Sequence, residues 1–139
     1  DPLGRLSIPR IGARFTVLQG TAAADLRAGP GHYAATALPG QHGTVGLAGH
    51  RTTYRQPFRR LDALRPGDGV VLDMPYGRFT YRVTGSQVVA PSQVGVLARA
   101  PGAERLVLTA CHPLFSAAQR LVVTARLVGA APRGVARAS

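Results

Sequence analysis

Arg105-Leu106-Val107-Leu108-Thr109-Ala110-Cys111 and, after a loop, Arg120-Leu121-Val122-Val123-Thr124-Ala125-Arg126-Leu127-Val128 are the two runs whose reading decides the fold. In the second run, alternation puts Leu121, Val123, Ala125 and Leu127 on one face and Arg120, Val122, Thr124 and Arg126 on the other, the signature of a half-buried strand. If the two runs pair antiparallel, the loop from His112 to Gln119 brings the end of one beside the start of the next. The separation across such a ladder is roughly 5 Å. Cys111 and Arg120 then flank one mouth, and Arg120 is more than a solvated charge on a buried row. A plain surface arginine is the alternative.

Working outward, other short period-two runs are separated by turn residues: Gly4 to Arg10, Phe15 to Leu18, Thr44 to Ala48, Gly69 to Met74 and Phe79 to Val89. Seven short strands predict a mostly β domain, a barrel or a sandwich. Helical turns are predicted at Thr21 to Arg27, where Thr21 can cap, and at Gln56 to Leu64, where Phe58, Leu61 and Leu64 recur on one face. Arg65-Pro66-Gly67-Asp68 reads as a turn and Tyr76-Gly77 as a hairpin tip. Residues 1–128 form one expected domain. From Gly129 to Ser139 the chain is small, basic and unpatterned, and is expected to be a disordered tail.

A chain of 139 residues buries roughly 68% of its unfolded surface, enough for a core without staples. Its 17 basic residues, all arginine, face 6 acids, giving a net charge of +11. GC-rich coding would also favour Arg, Ala, Gly and Pro. Whatever its origin, such a field attracts phosphates, anionic headgroups and acidic wall polymers. No run approaches the eighteen or so apolar residues of a membrane span, so the expectation is an excised soluble domain. The charge would suit a nucleic-acid binder, but 4 Tyr, 4 Phe and no Trp are few for base stacking, and no nucleic acid is expected as a partner.

Cys111 is the sole cysteine, so it forms no internal disulfide. A lone thiol with histidines elsewhere in the chain is a candidate nucleophile. Attack on a carbonyl needs a base or cation that favours thiolate and a donor for the developing oxyanion. Arg120 supplies the second and, being permanently charged, never the first. The base must be a histidine. His50 ends the strand-like Gly43-Thr44-Val45-Gly46-Leu47-Ala48-Gly49, where a loop suits catalysis, though a structural imidazole is the competing reading. His112 adjoins Cys111, but neighbours on a strand point to opposite faces, which makes it a rim residue. His32 and His42 are expected to be structural or solvent-exposed. No pair has close zinc-ligand spacing and six scattered acids make no calcium cage, so neither metal nor cofactor is expected.

Gly49-His50-Arg51-Thr52-Thr53-Tyr54, Leu108-Thr109-Ala110-Cys111-His112-Pro113 and Phe115-Ser116-Ala117-Ala118-Gln119-Arg120-Leu121 together resemble the sortase family of cell-wall transpeptidases, most closely its class E branch from actinobacteria. Ile8-Pro9-Arg10-Ile11-Gly12, Gly29-Pro30-Gly31-His32-Tyr33, Ala37-Leu38-Pro39-Gly40 and Leu64-Arg65-Pro66-Gly67-Asp68 extend the resemblance over Leu6 to Leu127.

The resemblance implies an eight-stranded β-barrel with one or two short helices, carrying Cys111 as nucleophile, His50 as proton-transferring partner and Arg120 as oxyanion or substrate-carbonyl donor. It further implies cleavage of a Leu-Ala-x-Thr-Gly or Leu-Pro-x-Thr-Gly sorting signal between Thr and Gly. The acyl chain passes to an amine of a peptidoglycan precursor or another protein. Partners are then secreted proteins bearing the signal, and the place is the outer face of a Gram-positive membrane, reached through an anchor upstream of this fragment.

Thr109, Ala110, His112 and the loop to Gln119 are expected substrate contacts, with Tyr54 and Tyr33 beside them, and Val107 and Val122 are expected to keep water from the mouth. Where the family often reads Thr-Leu-x-Thr-Cys, this chain has Val107-Leu108-Thr109-Ala110-Cys111, without either customary threonine. Rival readings are another cysteine hydrolase, which normally orients its imidazole with Asn or Asp, and a basic module that binds anionic polymers.

Overall fold

A computed structural model describes residues 2–51, 56–94, 104–112 and 118–132, with the side chains of residues 23, 25, 111 and 112 outside the description. Eight strands close into a barrel: β1 (Pro2–Ile8), β2 (Ala13–Gln19), β3 (Gly31–His32), β4 (Thr44–Ala48), β5 (Gly69–Met74), β6 (Gly77–Val89), β7 (Arg105–His112) and β8 (Gln119–Pro132). Their order around the barrel is β1-β2-β3-β4-β7-β8-β6-β5, closed by antiparallel pairing of β5 with β1. Two of the contacts, β2 with β3 and β4 with β7, are parallel.

Alternation decides which way each strand faces. Leu6 and Ile8, Val45 and Leu47, Val70 and Leu72, Tyr81 and Val83, Leu106 and Leu108, and Leu121, Val123 and Ala125 fill the interior. Burying such side chains is worth about 1.5–3 kcal/mol each and drives the closure. A second, smaller cluster of Val89, Val94, Val107 and Val122 lies outside the wall with Tyr33 packed on it. The face assignment expected for the last strand is the observed one.

The sequence reading and the structure differ at several boundaries. β1 ends at Ile8 rather than Arg10, because Pro9 opens a 3-10 turn over Pro9–Ile11 with its fixed φ and missing N–H. The eighth strand, β3, is two residues long, too short to show a period. The first helix is α1 (Ala23–Ala28). The second helical stretch is mostly turn, with a 3-10 segment over Leu61–Ala63, although Phe58, Leu61 and Leu64 are buried together as expected. The β5–β6 hairpin turns at Pro75-Tyr76, since Met74 pairs with Gly77. Gly129 to Pro132, assigned from sequence to the tail, continue β8 and pair with Gly77 to Thr80. Residues 133–139 lie outside the described residues. No described helix is long and apolar enough to cross a membrane.

Candidate active site

Three adjacent strands deliver the predicted site residues to one end of the barrel. Ala48 on β4 is the register partner of Thr109 on β7, and the Gly49 N–H donates to the Thr109 carbonyl at 3.1 Å, extending that ladder by one residue. Gly49 therefore stands alongside Ala110, and the same parallel register carried one residue further sets His50 alongside position 111. On the other side of β7, position 111 is the direct register partner of Arg120, and position 112 of Gln119. The strand continues through His112, so positions 111 and 112 fall on alternate sides, and 111 falls in the row of Val107 and Thr109.

A cavity of about 210 Å³ opens on the outer wall here, floored by Ala48, Thr109 and Ala110, flanked by Tyr33, and bounded by His50 and Arg120. Thr21 and Leu26 close it from the α1 side. The sequence reading did not name these two as site residues. Their only signal was a possible cap at Thr21 and an apolar position on a short helix, and neither points to a cleft on strands far away in sequence.

Local packing fixes His50. Its carbonyl accepts the Phe58 N–H at 2.9 Å, and the fully buried Phe58 ring covers Gly49, where a methyl group would meet the ring at 2.7 Å. Glycine at position 49 is thus required by close approach. Arg51, next along the chain, turns the other way, is buried, and lies 3.4 Å through Nη2 from Asp62 Oδ1. His50 stays half-exposed at the cleft while its neighbour pins the loop. Arg120, also half-exposed, donates from Nη1 to the Gln119 carbonyl at 3.0 Å, which directs the guanidinium along the β8 edge.

Tyr33 and Thr109 join across the cleft: the two hydroxyl oxygens lie 2.7 Å apart, and Thr109 Oγ1 donates to the Leu47 carbonyl at 3.4 Å. Either hydroxyl can donate across that 2.7 Å contact. Tyr33 lies against Gly46, whose added Cβ would stand 2.9 Å from the ring. Val107 and Val122, expected at the mouth, do not line the cavity but pack in the outer valine cluster against which Tyr33 rests. Tyr54 and residues 113–117 of the expected substrate loop lie outside the described residues, as do the side chains of Cys111 and His112.

The other two histidines have different surroundings. His32 is buried, with Nδ1 2.9 Å from Gln19 Oε1 and Nε2 2.7 Å from the Ala37 carbonyl, so Nε2–H donates to that carbonyl and the ring staples β3 to the following loop. His42 is exposed, and its backbone N–H donates to Glu104.

An imidazole, a thiol-bearing ladder position and a guanidinium thus stand at one end of a closed eight-stranded barrel. A sortase-domain family model matches residues 6–128, and the chain belongs to the sortase family. It is class E-like within that family. The sortase SrtE1 of Streptomyces coelicolor is 34% identical over 143 residues, covering 92% of this chain and 41% of that protein. Sortase D of Bacillus subtilis is 37% identical over 110 residues, 79% of this chain and 54% of its own length. The chain thus spans about half the length of these relatives. Among solved structures, sortase E1 from Streptomyces coelicolor with a tripeptide in the active site superposes with a TM-score of 0.88 at 32% identity, covering 96% of this chain and 91% of that one. Sortase E from Streptomyces avermitilis gives 0.83 at 40% identity, with 95% and 91% covered.

Proposed function

We propose that this chain is the catalytic domain of a transpeptidase in which Cys111 is the nucleophile, His50 the proton carrier and Arg120 the oxyanion donor. The observation that carries the reading is the convergence of the ends of β4, β7 and β8, which sets His50 and Arg120 on one cavity and pairs position 111 directly with Arg120. The substrate is a secreted protein with a Leu-Ala-x-Thr-Gly or Leu-Pro-x-Thr-Gly signal near its C-terminus. A tripeptide occupies the active site of the Streptomyces coelicolor relative, and an extended peptide is the occupant proposed for the cleft here.

In the first step the Cys111 thiol passes its proton to His50 as the sulfur attacks the threonine carbonyl carbon, and the oxyanion that forms is held by Arg120 N–H groups. The C–N bond to glycine then breaks, the departing amine takes a proton from the His50 imidazolium, and a thioester remains. In the second step an acceptor amine attacks that thioester, gives its proton to His50, and expels the sulfur. Two moderate barriers replace one high one. The acceptor is an amine of a peptidoglycan precursor or of another protein. Thr109, Ala110 and Tyr33 form the floor and wall that contact the peptide, with His112 and Tyr54 as further contacts. The enzyme acts at the outer face of a Gram-positive cell membrane, held by an upstream anchor.

Mass spectrometry of the protein mixed with either signal peptide and a small amine tests this. The expected result is a thioester on Cys111 and an aminated threonine product with one of the peptides, both lost in Cys111→Ala. Free threonine acid as the only product, with amine in excess, would make the protein a hydrolase and overturn the transfer reading.

A further inference from the structure

Three arginines stand side by side on the outer wall of the barrel. On the consecutive strands β6, β8 and β7, Arg82 is the register partner of Arg126 and Arg126 the register partner of Arg105. Tyr81, Val83, Ala125 and Leu106, their neighbours along the chain, all lie in the core, so the pleat turns the three arginines outward together. Residues directly opposite on antiparallel strands have Cβ atoms about 5 Å apart, and like charges so placed destabilise a sheet. A bias toward arginine in the coding sequence accounts for the residue type but not for this register.

No described carboxylate relieves the row. Asp62 faces Arg51, Asp68 faces Arg10 and Asp73 faces Arg78. Glu104 precedes Arg105 in the chain, yet it is buried and accepts the Gly40 and His42 N–H groups and the Tyr81 hydroxyl. The flanking guanidiniums lean apart, Arg82 Nη1 donating to the Gly67 carbonyl at 2.9 Å and Arg105 Nε to Thr44 Oγ1 at 3.0 Å. Between them the Arg126 side chain is exposed, and no hydrogen bond or ion pair joins its guanidinium to a described residue. The result is an electropositive row whose two flanking guanidiniums are anchored.

We propose that the Arg82, Arg126 and Arg105 row binds a linear polymer of phosphodiesters that carries no bases, laid across the strands. Two strand spacings make the row about 10 Å wide, wider than one phosphate, so a ligand that engages all three arginines must repeat its charge. Guanidinium forks match phosphate oxygens in pairs. Thr84 and Thr124 border the row on its outward side, and among the described residues no aromatic ring adjoins the three arginines in the ladder, so a base would find nothing there to stack on. Arg126 lies roughly 20 Å along β8 from Arg120. The row is therefore separate from the cleft, and the assignment does not depend on the transpeptidase reading.

Calorimetric titration with a synthetic glycerol-phosphate dodecamer tests it. Three contacts to a flexible polyanion give a salt slope of about −2, an affinity loss of about 20-fold between 50 and 200 mM salt. Arg126→Gln should flatten that slope by about 0.7, and the triple variant Arg82→Gln, Arg105→Gln, Arg126→Gln should lose measurable binding. A control of equal charge, Arg14→Gln with Arg27→Gln and Arg60→Gln, should bind as the parent does. Equal losses in control and triple variant would reduce the effect to net charge and overturn the site. So would competition by inorganic phosphate at equal phosphate concentration, tighter binding of a single-stranded oligonucleotide, or binding to phosphatidylglycerol vesicles without binding to the dodecamer. Arg126→Gln should leave transfer to a small soluble amine unchanged, which separates failure here from failure of the proposed catalysis.

Discussion

Arg120 occupies the one ladder position directly opposite Cys111, and its value there lies in shape as much as in charge. A guanidinium presents several N–H groups in a fixed plane, whereas an ammonium is a compact, strongly hydrated point charge. If Arg120 stabilises the oxyanion, Arg120→Lys keeps the cation but loses the geometry, and kcat/KM should fall about 10²-fold with little change in KM. Steady-state transfer kinetics decide this. At Gly49 the constraint is space. Gly49→Ala drives a methyl into the Phe58 ring, whose own backbone N–H holds the His50 carbonyl. The expected cost is about 1–3 kcal/mol of stability together with reduced transfer, read by urea denaturation and by the same kinetic assay. Chemistry singled out the lone thiol and its need for a base and an oxyanion donor, while His50 and Arg120 took those roles from the resemblance to the sortase family. Their distances were not legible, because register between strands far apart in sequence is set by which faces pack inward.

At the scale of elements, strands with a full alternating pattern were readable, and their ends were not. β8 shows why. Leu121 to Leu127 alternate and declare a strand, while Gly129, Ala130, Ala131 and Pro132 have side chains too small to carry a pattern, yet their backbone completes the ladder with β6. Truncation after Val128 should remove pairing from Gly77 to Thr80 and cost about 2–4 kcal/mol, measured as a lower urea midpoint. β3 escaped for a related reason. Two residues cannot show a period, and what holds Gly31 and His32 is a parallel partner in β2, an antiparallel partner in β4 and the hydrogen bonds of the His32 ring. Pro75 displaced the expected hairpin tip by one residue, since pairing resumes at Gly77.

The whole barrel is closed around a buried phenol and carboxylate. Tyr81, fully buried, donates to Glu104 Oε2 at 2.9 Å, and Glu104 in turn holds the Gly40 and His42 N–H groups of the loop entering β4. Burial, and then the Glu104 charge, hold the Tyr81 hydroxyl protonated far above the usual tyrosine range. Above a pH of about 10 the unfolded chain releases this proton while the barrel keeps it, so the unfolded state gains and stability falls as pH rises. Denaturation midpoints measured from pH 9 to 11.5 should decline, and Tyr81→Phe should make that decline shallower even if it lowers the starting stability. An unchanged slope in the variant would remove Tyr81 as its source.

By itself the sequence determined the strand-rich class, the inward and outward faces of the long strands, and which groups have the chemistry of a thiol transferase, since alternation and side-chain reactivity are local properties. The tertiary structure alone decided that β4 runs parallel beside β7, that Thr21 and Leu26 wall the cleft, and that three arginines share one row. Those outcomes depend on which strands pair when a sheet closes on itself, and that choice is made by packing of the whole interior rather than by any stretch of chain.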